Sequence, residues 1–361
     1  MSGRPDLHVI PGGGDLALAT ARDDVLDPFA YQARCVGSWV MSMVARGFST
    51  TTIEGDNATL DRFLALAGKP VWELTAADVD RMVAALHARG AGAVTRRDYV
   101  TTFKQFFEFL QARYAADIAV RFGVRLANPI DRFHAGRHVA DPATTARTPP
   151  TPLRMEQFFA FIRARMELAR KWVPWARDYA LLRLLYHCGL RCSEAVALEV
   201  ADLHFDRGPF GKVHVRFGKA AKGSGPRPRW VPMLDNAGLI LHWYLDEVRV
   251  RFRQPGDALF CDEGGGPLAT GTIRNRVRYF MRVEGRPAHE RFSPHDLRHA
   301  CATRNYERGV DLVAIQQLLG HWHIGTTMGY VTPSLTFVED AYRRALSSTL
   351  ADLTADPAAG S

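Results

Sequence analysis

The sequence predicts a mainly α-helical protein of two domains, the second of which contains a small β-hairpin or sheet. Apolar residues recur at helical spacing through residues 28–133 and again from 153 onward. In one short stretch, 212–217, apolar and polar residues alternate, as is typical of a half-buried strand. Between the helical regions lies a run rich in proline, alanine and threonine that has no apolar period. A chain of 361 residues also has room for two domains of ordinary size.

These patterns divide the chain into five segments. The first has no sustained period and carries Pro11 followed by three glycines, so it is expected to be a disordered arm. It is followed by a helical domain, a linker, a second domain that ends in a tail helix, and a tail. The predicted segments are 1–27, 28–133, 134–152, 153–345 and 346–361.

Four helices account for the first domain. The first begins at Pro28, the second follows the run of serine and threonine at 49–52, and the third begins after Thr75, where Asp78 completes a capping box. The fourth begins near Thr95. Its apolar stripe is largely aromatic and is expected to pack in the core; the stripe comprises Tyr99, Phe103, Phe106, Phe107 and Leu110.

The second domain opens with a helix around Met155 and continues into a helix at 179–188, which is apolar nearly all round and is therefore predicted to be central. Gly189 ends that helix, and Ser193 is expected to cap the next one. Pro232 marks the returning strand of the hairpin as an edge strand. The strands and later helices are predicted at 212–217, 230–233, 239–250 and 273–283.

The positive charge of the chain fits a polyanionic partner. The net charge is +8, and nucleic acid is the commonest polyanion. Positive residues of the fourth helix either contact phosphates or only meet solvent; they are Arg96, Arg97 and Lys104. The tip of the predicted hairpin carries a second basic cluster without an acidic residue, made of Lys219, Lys222, Arg227 and Arg229.

Cysteine usage and hydropathy indicate a soluble, cytoplasmic protein. The five cysteines are scattered and include no C-x-x-C pair, which favours buried reduced thiols over a disulfide framework or a cysteine zinc site. The N-terminus lacks an early apolar segment. The longest strongly apolar run, 179–185, is interrupted by Arg183 and is too short to span a bilayer.

Residues 293–330 collect the side chains best suited to catalysis. Ser-Pro-His-Asp at 293–296 is a strong helix start, and the N-terminus of a helix attracts anions. Gly320 ends the following helix, so that the next side chain can point into a cleft. The candidate residues here are His295, Arg298, His321 and Tyr330. Together they suit phosphoryl transfer, with the tyrosine as nucleophile.

Several motifs, in order and spacing, resemble the tyrosine recombinase (phage integrase) family. They are Gly-Leu-Arg-Cys-Ser-Glu at 189–194, Gly-Lys at 218–219, His-Asp-Leu-Arg-His at 295–299, Leu-Gly-His at 319–321, and Tyr330. The first domain is similar to the helical core-binding domain of that family at 49–53, 74–79 and 128–129. The resemblance covers about 28–345 and implies a DNA-binding core-binding domain followed by an α-rich catalytic domain.

The resemblance implies a phosphate grip made of three residues. Arg191 and Arg298 would each donate a planar fork of hydrogen bonds to the non-bridging oxygens of a DNA phosphodiester, which lysine cannot reproduce. His321 would add another hydrogen bond to the phosphate. Two rounds of strand exchange through a Holliday junction would then give recombinants, without metal, ATP or another cofactor.

The resemblance also implies how protons and the nucleophile act. Tyr330 would attack and hold the DNA as a 3′-phosphotyrosine, and His295 would assist proton movement there. Lys219 would protonate the departing 5′ oxygen. The Gly-Lys-Gly-x-Lys pattern of the family lacks its second glycine here, so Lys222 competes with Lys219 for that role.

The implied partners are double-stranded DNA recombination sites, met at the nucleoid, together with other copies of this chain and accessory proteins. An apolar stripe continues beyond Tyr330 on a tail helix, at Phe337, Val338, Ala341, Tyr342 and Leu346. In the family such a helix docks on a neighbouring protomer in a tetramer. Packing of the stripe within its own chain is the alternative.

Three other functions compete with recombination. His295 and His299 have the spacing of a zinc-hydrolase helix, for which His321 or His323 would supply a third ligand. That alternative leaves Arg191 and the basic hairpin unexplained. The others are a DNA-binding relative without catalysis and a type IB topoisomerase-like strand swivel.

Overall fold

The computed structural model describes residues 27–134, 148–218 and 227–354. It is mainly helical and contains a small antiparallel sheet, which confirms the predicted fold class. The chain divides into two compact units, residues 1–139 and 140–361. Within the described residues, no helix is both long and apolar enough to cross a membrane.

Capping interactions define the helices of the first unit. The Asp27 carboxylate accepts a hydrogen bond from the backbone N–H of Ala30 at 3.0 Å. The N–H and hydroxyl of Thr75 both donate to the Asp78 carboxylate, at 2.8 and 2.7 Å, which is the predicted capping box. Helices α1, α2, α3 and α4 span Pro28–Ala45, Thr50–Leu64, Ala76–Ala88 and Ala93–Phe122.

The aromatic stripe of α4 lies in the core of the first unit. Phe103, Phe106 and Phe107 are fully buried. Phe106 meets Trp39 edge to face with ring centroids 5.5 Å apart, and Phe103 meets Phe63 in the same way at 5.2 Å. These contacts confirm that the stripe packs internally, so its aromatic rings are not free to stack on bases.

The ends of the predicted linker, 134–152, belong to folded structure. His134 is buried, and its Nε2 lies 3.1 Å from the carbonyl oxygen of Ala76 at the start of α3. At the other end, the hydroxyl of Thr151 accepts a hydrogen bond from the N–H of Arg154 and caps a helix whose first residue is Pro152.

The second unit contains helices α5 to α13. The predicted helix at 239–250 begins as α8, then changes to a π turn at Tyr244–Val248 and a 3₁₀ turn at Arg249–Arg251. The tail helix α13 continues past residue 345, where the domain was predicted to end. In order, the helices span Pro152–Glu167, Trp172–Cys188, Cys192–Val196, Ala237–Trp243, Thr270–Val283, Pro294–Glu307, Leu312–Leu319, Ile324–Met328 and Leu335–Thr354.

A three-stranded antiparallel sheet accompanies these helices. Its strands β1, β2 and β3 span Leu203–His204, Lys212–Val215 and Arg229–Pro232, in that spatial order. β2 and β3 form the predicted hairpin, with Val213 opposite Val231, and β3 is an edge strand as Pro232 indicates. β1 was not predicted, because two residues are too few to show an alternating pattern.

Helix α6 lies at the centre of the second unit, since its residues are buried on all sides. It ends at Gly189, whose φ of 63° favours glycine. A Cβ at this position would come within 2.7 Å of the Leu319 side chain and 3.1 Å of the Cys301 sulfur. The glycine therefore allows the ends of α6 and α11 to approach closely. The five cysteines are free thiols, four of them buried.

Candidate active site

Arg298 lies where the C-terminal ends of two helices meet. α6 and α11 end in the left-handed glycines Gly189 and Gly320, and the last carbonyl groups of a helix lack partners within it. Arg298 donates from Nη1 to the carbonyl of Gly189 and from Nη2 to that of Leu319, both at 2.5 Å. The side chain is fully buried, and among the described residues its Nε has no acceptor. The guanidinium is therefore fixed, and its Nε–H is unused among the described residues.

A single buried carboxylate gathers three arginines. Glu194 accepts both arms of Arg229 at 2.9 Å and Nη1 of Arg191 at 2.6 Å, and Nη1 of Arg298 lies 3.7 Å away. Burial acts to raise the pKa of Glu194, but the hydrogen bonds and charges of the arginines outweigh it and lower that pKa to about 2. Three positive charges against one negative charge leave a surplus of two, which suits an anion.

Arg191 is the N-cap residue of α7, so the prediction of a cap at Ser193 was wrong. The helix begins at Cys192, and the Glu194 carboxylate accepts the backbone N–H of Arg191 at 2.8 Å. The Arg191 side chain is 20% exposed, whereas that of Arg298 is buried. Arg191 is therefore anchored on Glu194 and still accessible to a ligand from solvent.

His321 connects Arg298 to helix α12. Its Nε2 lies 2.9 Å from Nη2 of Arg298, and its Nδ1 lies 3.0 Å from the hydroxyl oxygen of Thr327. Because a guanidinium only donates, Nε2 accepts, and the proton is assigned to Nδ1. Burial, followed by the charges of Arg298 and Arg191, lowers the pKa of His321 to about 3. Donation from Nε2 to a phosphate would require the proton to move to that nitrogen.

Tyr330 lies against these residues in the same chain. Its hydroxyl is 3.0 Å from Nε2 of His295, near the N-terminus of α10. Its backbone N–H donates to the carbonyl of Thr327 at 2.9 Å, and its carbonyl accepts from the Thr303 hydroxyl at 3.3 Å. The guanidinium carbon of Arg298 is 5.7 Å from the centroid of the Tyr330 ring. The predicted nucleophile thus lies beside the predicted phosphate grip.

Three further residues contribute to this site, and none of them was predicted to take part in phosphoryl transfer: Glu194, Thr327 and His299. The ring of His299 lies 3.8 Å from that of Tyr330, with 2° between the planes. Burial, then the nearby His295, lowers the pKa of His299 to about 4. The spacing of His295 and His299 predicts one helix face, but only the fold reveals that Tyr330 covers it.

The structure places Arg229, one of the predicted DNA contacts, inside the protein. Only 11% of its side chain is exposed, and both terminal nitrogens bind Glu194. Its Nε donates to the carbonyl of Leu318 at 3.0 Å. A Cβ on Gly320 would lie 2.9 Å from the Arg229 side chain, so this arginine is packed beneath the end of α11. It supports the site from within.

The other predicted DNA contacts lie in different surroundings. Arg96 is bound to the carbonyl of Ala91 at 2.6 Å, whereas Arg97 and Lys104 are exposed. The Arg227 guanidinium lies over the ring of Trp322, 3.6 Å from its centroid. The remaining two candidates, Lys219 and Lys222, lie outside the described residues.

The geometry does not favour the zinc-hydrolase alternative. Nε2 of His295 faces the Tyr330 hydroxyl, His299 lies flat against the same tyrosine, and both nitrogens of His321 face other protein groups. His323 is the exposed N-cap residue of α12. In the part of the chain that the structure describes, no three histidine, cysteine or acidic side chains converge as metal ligands would.

Acid should destabilise the protein well before its carboxylates are protonated. Burial lowers the pKa of His187, His299 and His321 to about 3, 4 and 3, whereas unfolded histidine has a pKa of about 6.5. Above about pH 6.5 these rings are neutral in both states. Below it the unfolded chain binds protons that the folded chain excludes, so the free energy of unfolding decreases as the pH is lowered.

We expect a lower Tm at pH 5 than at pH 7, with a smaller drop in His321→Gln. The variant His289→Gln, at an exposed histidine, should keep the full drop. Equal Tm values for the wild type at both pH values would contradict this prediction.

Comparisons of sequence give the family. Residues 162–335 match the model of the Phage integrase family. The chain is 33% identical over 311 residues to tyrosine recombinase XerC of Rhodospirillum centenum, and the alignment covers 83% of this chain and 82% of that protein. It is 30% identical over 296 residues to tyrosine recombinase XerC of Chromohalobacter salexigens, with 80% and 87% covered.

Solved structures share the fold. The Tn1549 transposon integrase in complex with transposon right end DNA superposes with a TM-score of 0.63 at 18% identity, covering 87% of this chain and 99% of that one. XerH site-specific recombinase bound to palindromic difH substrate gives 0.61 at 18% identity, covering 89% and 84%. From its sequence matches and its fold, this chain belongs to the tyrosine recombinase (phage integrase) family.

Proposed function

We propose that the chain is a site-specific DNA recombinase in which Tyr330 attacks a phosphodiester. The observation that carries the proposal is the position of the Tyr330 hydroxyl, 3.0 Å from His295 and next to a cluster with a surplus of positive charge in the same chain. The Tyr330 oxygen bonds to phosphorus while the bond from phosphorus to the 5′ oxygen breaks. The product is a 3′-phosphotyrosine, which the free 5′ hydroxyl of a partner strand reverses.

The arginine cluster would stabilise the charge that grows on the non-bridging oxygens. Arg298 supports this role by its position, because its guanidinium carbon lies 5.7 Å from the centroid of the Tyr330 ring and its Nη1 lies 3.7 Å from Glu194. Arg191 is held by Glu194 and remains partly exposed. Preorganised donors of this kind are each worth about 3–4 kcal/mol in the transition state.

Proton transfer would be needed at two groups, the attacking tyrosine and the leaving 5′ oxygen. His295 would accept or relay the proton of the Tyr330 hydroxyl, to which it is already hydrogen-bonded. His321 would bind the phosphate once Nε2 carries the proton. Lys219, or else Lys222, would protonate the leaving 5′ oxygen; these assignments rest on the family resemblance.

We further propose a tetramer on two DNA sites, joined through the tail helix α13. Its exposed apolar side chains share one face and are Leu335, Val338, Tyr342 and Leu346. Tyr342→Glu should leave binding to one site unchanged but prevent two occupied sites from pairing. Sedimentation of protein–DNA complexes would measure this, with Arg344→Glu, on another face of the helix, as the control. Normal pairing by Tyr342→Glu would exclude this interface.

The proposed chemistry has a distinctive product. We would select bound duplexes from a random-sequence library with the purified protein, place a nick in the selected site, and incubate it with protein in EDTA without ATP. The proposal predicts DNA joined covalently to protein, seen as a shifted band in a denaturing gel. A DNA-binding relative without catalysis would give no such band, and a zinc hydrolase would give free cut ends that EDTA suppresses.

A further inference from the structure

The tyrosine at 330 lies on a segment that does not orient its side chain alone. Helix α12 ends at Met328, and no regular structure begins again until α13 at Leu335. Backbone hydrogen bonds fix the Cα of Tyr330 but leave rotation about its side-chain bonds. A nucleophile on a loop therefore depends on neighbouring side chains for the last part of its alignment.

His299 supplies a flat surface for that ring. The two rings are parallel within 2°, with centroids 3.8 Å apart, which is close to van der Waals contact. The His299 ring therefore packs directly against the side chain of the nucleophile.

Helix α10 carries this surface together with two reactive partners. His295 and His299 are four residues apart on one face, and their rings meet at 78° with centroids 4.9 Å apart. Arg298, on the same helix, is fixed to the carbonyls of Gly189 and Leu319. One helix thus carries one arginine of the phosphate grip, the hydrogen-bond partner of the tyrosine, and the surface behind its ring.

We propose that His299 is a positioning residue for the nucleophile: its ring fixes the plane of the Tyr330 ring, so that the hydroxyl stays on His295 beside Arg298 of the same chain. This inference rests on the proposed function. His299 does not touch the reacting oxygen, and its contribution is to alignment. A half-buried imidazole suits this task because it offers a flat face to the tyrosine ring.

The test compares flat and non-flat replacements on the nicked duplex described above. We expect His299→Ala to form covalent complex about 10- to 100-fold more slowly, the usual effect of a misaligned reactant, with DNA binding unchanged. His299→Phe should recover most of the rate, whereas His299→Leu, which fills space without a plane, should resemble His299→Ala. The exposed His289→Ala is the control and should match the wild type.

Two results would overturn the inference: a wild-type rate in His299→Ala, or equal rescue by leucine and phenylalanine. Failure of the wild type to form covalent complex would instead reject the proposed function. Positioning is also measurable without DNA, by ¹⁹F NMR of protein labelled with 3-fluorotyrosine, in which the Tyr330 signal is identified by its loss in Tyr330→Phe. That signal should shift in His299→Ala and return towards its original position in His299→Phe; an unmoved signal in His299→Ala would contradict the stack.

Discussion

Replacing Tyr330 with phenylalanine should lower the rate of covalent complex formation by about 10⁴-fold or more. The affinity for DNA should stay within about two-fold of the wild-type value. The change removes one oxygen atom, which is the atom proposed to attack phosphorus. The aromatic ring can keep its contact with His299, so the fold and the DNA-binding surface should be preserved. Single-turnover assays on the nicked duplex would measure cleavage, and gel shifts would measure binding.

The matched control is Tyr306→Phe. Tyr306 packs in the same small cluster as Tyr330 and contacts the ring of Phe337. The substitution removes a phenolic oxygen that lies near the site but is not part of it. The rate of cleavage should therefore remain near that of the wild type. Covalent trapping of DNA by Tyr330→Phe would show that another residue is the nucleophile.

Replacing Glu194 with alanine should cause a large decrease in the free energy of unfolding. The side chain is buried and binds Arg229 and Arg191, with Arg298 at 3.7 Å. Its removal leaves buried positive charge without a counter-charge, which typically costs about 3–5 kcal/mol and corresponds to a fall in Tm of roughly 6–20 °C. Thermal unfolding at pH 7 would measure the effect.

An exposed glutamate provides the comparison. Glu247 lies 3.8 Å from Arg251 at the surface, with 62% of its side chain exposed. Because such exposed pairs contribute less than about 1 kcal/mol, Glu247→Ala should have nearly the Tm of the wild type. A Tm for Glu194→Ala equal to that of Glu247→Ala would show that the carboxylate does not hold the arginines together.

The parts of the fold that were predictable depend on neighbouring residues in the sequence. The Ser293 hydroxyl and N–H both bind Asp296, so the start of α10 could be inferred from four letters. Gly189 and Gly320 end their helices as predicted, because a left-handed residue is needed there. The positions of His295 and Arg298 on one helix follow from the same local rules.

Contacts between distant residues were not predictable. Glu194 and Arg229 are 35 positions apart, and only the packing of β3 against the ends of α7 and α11 brings them together. In the sequence Arg229 looks like another basic residue of the hairpin tip, so its burial was missed. His299 and Tyr330 pack face to face for the same reason, across α11 and α12.

Transfer of the 3′-phosphoryl end of a DNA strand to Tyr330 can be measured directly. Covalent complex formed on the nicked duplex would be digested with protease and nuclease, and the peptide that carries the nucleotide would be sequenced by mass spectrometry. We predict a single modified site, Tyr330, linked to a 3′ phosphate. Linkage through another residue, or through a 5′ phosphate, would contradict the proposed mechanism.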